Sequence, residues 1–77
     1  MTFDINKFRK DIGAKRLKLD STEEPISLRD AAKQANTSPA TLSRLERGNP
    51  PDIFTFGAIC GWLGKSPSDY FINDNLI

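Results

Sequence analysis

Five short polar signatures divide this chain, and they constrain its fold more than any other feature. Asp4, Ser27, Ser38, Asp52 and Ser66 each stand just ahead of a stretch with apolar residues at helical spacing. A small polar side chain in that place accepts a hydrogen bond from a backbone amide of the first turn, so each marks a helix start. Pro39 and Pro67 follow two of the serines, at the first helical position, where an amide has no intrahelical partner anyway. Asp30 and Asp69 stand three residues after Ser27 and Ser66, the spacing of a capping box. The stops are equally plain. Pro25, Asn36-Thr37, Gly48 before Asn49-Pro50-Pro51, and Gly64 each end or block a run.

Between these signals the spacing predicts five helices. In the first, Ile5, Phe8, Ile12 and Leu19 share a face with Arg16 beside them, and the helix fades around residues 18–20. A polar connector, residues 21–25, leads to a short second helix that buries Leu28, Ala31, Ala32 and Ala35. Asn36 tolerates the left-handed turn that follows. The third helix turns Leu42 and Leu45 inward, and the fourth Ile53, Phe56, Ile59, Cys60 and Leu63. The fifth contains Tyr70, Phe71 and Ile72. No stretch alternates like a strand. The fold class this implies is all-α, one compact five-helix domain over residues 1–77.

Composition narrows the chemistry. With 77 residues the chain buries only roughly 60–65% of its unfolded surface, too little for a large enclosed active site. There is no histidine and one cysteine, Cys60, so neither a disulfide framework nor a Cys/His zinc site is expected. Paired carboxylates on a cleft and a glycine-rich phosphate loop are also missing. No catalytic residue, cofactor or metal is therefore expected. The apolar runs are too short for a membrane span, and Met1-Thr2-Phe3-Asp4 does not begin like a signal peptide; a soluble cytoplasmic domain is expected. The net charge of +1 conceals a polarity. Residues 1–48 carry ten Lys/Arg against seven acids, while residues 49–77 carry one against three. The first part is the one suited to a polyanion.

Residues 27–48 hold the most informative pattern. Two helices of about two turns are joined by a tight turn, with small residues at their contact, which is the helix-turn-helix arrangement. A DNA major groove admits one α-helix, and in this motif the second helix reads base edges while the first props it from behind. Here that second helix exposes Pro39, Ala40, Ser43, Arg44 and Arg47.

The segments Ser27-Leu28-Arg29-Asp30-Ala31-Ala32-Lys33 and Thr37-Ser38-Pro39-Ala40-Thr41-Leu42-Ser43-Arg44-Leu45-Glu46-Arg47-Gly48 resemble the Xre/Cro–CI family of lambda-repressor-like DNA-binding domains. The likeness continues through Ile53, Phe56, Ile59, Leu63, Gly64, Ser66 and Asp69. It implies a transcriptional regulator, of repressor type, that binds an operator in double-stranded DNA. It places base reading on Pro39, Ala40, Ser43 and Arg44, with Arg47 just after, and backbone contact on Ser27, Leu28, Ser38, Thr41 and Asn49. It also implies a partly buried ion pair between Glu46 and an arginine of helix 1, for which Arg16 has the right spacing. Two departures stand out. Leu28 occupies the place of a common glutamine and cannot offer an amide to phosphate. Pro39 and Ala40 offer only apolar contact, for instance with a thymine methyl. The direct code then rests on Arg44, which as a base reader would grip guanine and otherwise would clamp a phosphate or remain solvated. Lys15 is a further candidate for backbone contact.

A second apolar stripe, Phe54, Ala58 and Trp62, runs along helix 4 beside the core stripe. Either the Leu76-Ile77 tail covers it or a second subunit does. Phe54, Trp62, Tyr70 and Phe71 are the candidate contacts of a homodimer formed within residues 53–77. The competing reading is an antitoxin or adaptor that uses the same fold to bind a protein, such as a toxin or RNA polymerase.

Overall fold

Each of the five polar signatures caps the segment it precedes. In the computed structural model, which describes residues 2–18 and 22–72, Asp4, Ser27, Ser38 and Asp52 accept from the amides of Lys7, Asp30, Thr41 and Thr55. The Thr55 amide and hydroxyl hold the Asp52 carboxyl below its ordinary pKa. The helices so started are α1 (Ile5–Leu17), α2 (Leu28–Gln34), α3 (Pro39–Glu46) and α4 (Ile53–Leu63). Their ends use left-handed residues: Lys18, Asn36, Gly48 and Gly64 all have positive φ. At Asn36 this reversal brings the Thr37 amide back to the Ala32 carbonyl at 2.9 Å, which makes the turn between α2 and α3 only four residues long.

The core is one cluster. Phe8 and Ile12 of α1, Ala31, Ala32 and Ala35 of the α2 segment, Leu42 and Leu45 of α3, Ile59 and Cys60 of α4, and Tyr70 are all buried. The three alanines let α3 approach α2 closely, since no long side chain stands between the backbones. Phe8 anchors an aromatic group, with its ring 5.1 Å from Tyr70, 5.3 Å from Phe56 and 5.5 Å from Phe3. Such edge and tilted contacts add to the burial of the rings themselves.

The segment after Ser66 is not a fifth α-helix. Ser66 and Asp69 do form the capping box, but it starts a single 3-10 turn, Pro67–Tyr70, and the chain then extends as β2 (Phe71–Ile72). β2 pairs antiparallel with β1 (Thr2–Phe3), Thr2 opposite Ile72 and Phe3 opposite Phe71. Phe and Ile suit an extended pairing, and the Thr2–Phe3 segment supplies the partner strand. Among the described residues the fold is thus mostly helical, four α-helices with a small ribbon. Two further expectations change. Ile53 does not point into the core but is 78% exposed, lining an apolar groove with Phe3, Pro51, Phe56 and Phe71. Tyr70 is no candidate for a subunit contact, because it is fully buried within its own chain. Leu19, Leu76 and Ile77 lie outside the described residues. Among the described residues no helix is long and apolar enough to cross a membrane.

Tyr70 closes the fold. Its backbone carbonyl accepts from the Asp4 amide at 2.6 Å, and its hydroxyl donates to Asp11 Oδ2 at 2.7 Å. Burial first, then the Asp11 carboxylate, pushes the phenol well above its ordinary pKa. A raised folded value means that the contribution to stability is complete below about pH 10 and is lost as pH rises beyond it. Thermal melts between pH 8 and 11 should therefore show a steeper loss above pH 10 for the native chain than for Tyr70→Phe. The variant should already be about 1–2 kcal/mol less stable at neutral pH. Parallel alkaline slopes would show that this phenol is not linked to folding.

Candidate nucleic-acid interface

The two sides of α3 are sharply different. Leu42 and Leu45 are buried, while Pro39, Ala40, Arg44 and Arg47 are exposed and Thr41 and Ser43 are half-buried. The buried side is fixed by a charge pair as well as by leucines. Arg16 on α1 donates from Nε to Glu46 Oε2 at 2.8 Å and from Nη2 to Glu46 Oε1 at 3.0 Å. Its third nitrogen, Nη1, donates to the Ile26 carbonyl at 3.3 Å, just ahead of α2. One guanidinium therefore ties α1 to the end of α3 and to the entrance of α2. Both side chains are only 19% exposed, and a two-point fork of this kind fixes orientation as well as distance.

On the outer side, a small hydroxyl network orders the start of α3. Ser38 accepts the Thr41 amide and donates from Oγ to Thr41 Oγ1 at 2.8 Å. Arg44 Nη2 reaches the same Thr41 oxygen at 3.4 Å, which directs its side chain back along the helix. Beyond α3, the Asn49 amide donates to the Arg44 carbonyl at 3.0 Å, and the Asn49 side chain is exposed. Ser27 caps α2, whereas Leu28 behind it is half-buried against the core. The starts of α2 and α3 each carry the positive end of a helix dipole and amides free of intrahelical partners, a setting that suits phosphate oxygens.

The cations of α1 are largely engaged elsewhere. Lys15 lies over the Trp62 ring, 5.3 Å from its centroid, and Trp62 Nε1 donates to Gln34 Oε1 at 3.2 Å. Lys15 is thus drawn toward the C-terminal end of α2, opposite Ser27. Trp62 is half-buried by its own subunit, so of the apolar stripe on α4 only Phe54 stands clear, at 87% exposure. Lys7 donates to the Asp69 carbonyl, and Lys18 pairs with Glu23. Arg9, which the sequence reading passes over, does come against this side. Its guanidinium lies 3.5 Å from where a β-carbon at Gly48 would stand. Its seven-residue separation from Arg16, two helical turns on one flank, is the signal that marks it. Cys60 is buried, and desolvation, with Asp69 nearby, raises its pKa, the opposite of what a nucleophilic thiolate needs.

The model of a helix-turn-helix family of Xre/Cro–CI type matches residues 26–70. The chain belongs to that helix-turn-helix family. The family is one of DNA-binding regulators rather than enzymes, and this domain is a DNA-binding helix-turn-helix regulator. The matched span opens at Ile26, whose carbonyl Arg16 holds, and closes at Tyr70, where the 3-10 turn ends. Helix α1 lies outside it yet supplies the arginine that braces the helix-turn-helix. No curated protein and no solved structure matches the chain significantly.

Removing one partner of the Arg16–Glu46 pair leaves a half-buried charge alone. Glu46→Ala should cost about 2 kcal/mol, reduced from the fully buried case because water reaches the pair, and lower the Tm by roughly 10 °C in a domain of this size. An unchanged denaturant midpoint would show that the pair does not brace α3.

Proposed function

We propose that the domain is a sequence-specific repressor that inserts α3 into the major groove of an operator and reads bases chiefly through Arg44. The exposure of Pro39, Ala40, Arg44 and Arg47 on one side of a helix whose other side is pinned by Leu42, Leu45 and Glu46 carries this reading. A guanidinium pairs with guanine O6 and N7 through two hydrogen bonds. Pro39 and Ala40 meet a thymine methyl, and the small Ser43 permits close approach. Ser27, Ser38, Thr41, Asn49 and Arg47 hold the flanking phosphates, and those contacts supply most of the affinity.

Selection of bound sequences from a random duplex library tests this directly. Arg44→Ala should lose discrimination at one base pair per half-site, worth about 1–3 kcal/mol, while Arg47→Ala weakens all sequences alike. An unchanged selected motif for Arg44→Ala would remove it as the reader. Random duplex at low salt separates the regulator from a protein-only adaptor, which would not bind it.

The regulator acts as a two-fold dimer in this reading, through the apolar face formed by Phe54, Phe71, Ile53 and Ile72. These residues are 87%, 42%, 78% and 50% exposed, and of them Ile53 and Phe71 line the groove with Phe3 and Phe56. Two-fold pairing presents the same patch from both chains and sets two α3 helices about 34–36 Å apart, one turn of duplex. Sedimentation with operator DNA should give two chains per duplex, and Phe54→Glu should reduce this to one. A native chain that binds as a monomer would overturn the dimer.

A further inference from the structure

Gly48 and Arg9 form a contact for which nothing within the fold provides an anion. Gly48 has φ 95°, and a β-carbon there would lie 3.5 Å from Arg9 Nη1 and 3.8 Å from Arg9 Cδ. The bare backbone after α3 is thus the floor on which the Arg9 side chain rests. Arg9 nevertheless stays exposed, and among the described residues its guanidinium has neither ion pair nor hydrogen bond. The single carboxylate of α3, Glu46, has both oxygens occupied by Arg16 Nε and Nη2. Gly48 itself is flanked by Arg47 and Asn49, the exposed residues at the exit of α3. Arg9 therefore lies against the turn that follows Arg47, with the five donors of its guanidinium free of any partner among the described residues.

We propose that Arg9 is a further DNA-binding residue, which grips a backbone phosphate at the edge of the groove that α3 enters. This rests on the proposed docking of α3. The planar fork suits two phosphate oxygens at once. Since phosphates carry no sequence information, Arg9 adds affinity and salt dependence but no discrimination. A β-carbon at Gly48 would meet Arg9 only at ordinary van der Waals distance, so the glycine itself serves the turn, through its φ of 95°.

The test compares the native chain with Arg9→Gln, Arg9→Lys and Lys65→Gln. Lys65 follows α4, about 16 Å of helix away from the Gly48 end, and controls for net charge. Dissociation constants are measured for the selected operator and for random duplex between 50 and 200 mM salt. One phosphate contact contributes about 3.5-fold to the affinity lost over a four-fold rise in salt. Arg9→Gln should therefore lose about 3.5-fold less affinity over that range than the native chain, equally on both duplexes and with an unchanged Tm. Arg9→Lys should keep most of the native slope, and Lys65→Gln should match it. A native slope in Arg9→Gln, or an equal change in Lys65→Gln, overturns the assignment while leaving the docking of α3 intact. Failure of the native chain to bind any duplex overturns both.

Discussion

Everything that faces outward on this domain depends on one charge pair turned inward. Helix α3 has eight residues, too few to hold its own conformation or its own roll angle in water. Leu42 and Leu45 bury its inner side, but leucines alone permit small rotations and repacking. The two-point contact between Arg16 and Glu46 does not. It sets α3 at one rotation about its axis, and the third nitrogen of the same guanidinium, on the Ile26 carbonyl, sets the entrance of α2 at the same time. The outward placement of Pro39, Ala40, Arg44 and Arg47 follows from that rotation.

The rest of the molecule divides the work in two. The basic part of the chain supplies α1, α2 and α3, and three of its lysines have partners away from α3: Lys15 on Trp62, Lys7 on the Asp69 carbonyl, Lys18 on Glu23. The apolar part supplies α4 and the ribbon. Phe3, Phe8, Phe56, Tyr70 and Phe71 join the two ends of the described chain into one aromatic group, a large share of the core that so short a domain can bury. The same group leaves an apolar face at the first turn of α4, on the other side of the chain's charge polarity.

What could be read in advance is local. Caps depend on a side chain and an amide three residues away, so Asp4, Ser27, Ser38 and Asp52 were legible without any tertiary information. Asn36 and Gly48 likewise announce the turns that frame α3. The ribbon was not legible, because Phe71 and Ile72 find their partners about seventy residues away, and three residues fit a short helix as readily as an extended strand. Ile53 obeys the helical spacing of α4 but stands at the first turn, past the edge of the core, where periodicity has no information. The misplacement of Tyr70 at a subunit surface has the same origin: its burial and its hydrogen bond to Asp11 arrive from another helix. At the interface, the residues of α3 and their caps could be named from the motif, whereas the approach of Arg9 to Gly48 depends on how α1 crosses α3.

Amide chemical-shift mapping of the intact chain against a duplex is the most direct measurement of which surface meets DNA. If α3 docks outward side first, the perturbed amides gather at Ser38, Ala40 through Arg47 and Asn49, with a weaker group at Ser27 and Leu28, and the amides of Phe54 and Phe71 stay in place for a half-site too short to recruit a second copy. Shifts confined to the first turn of α4 and the ribbon, with α3 unmoved, would contradict it.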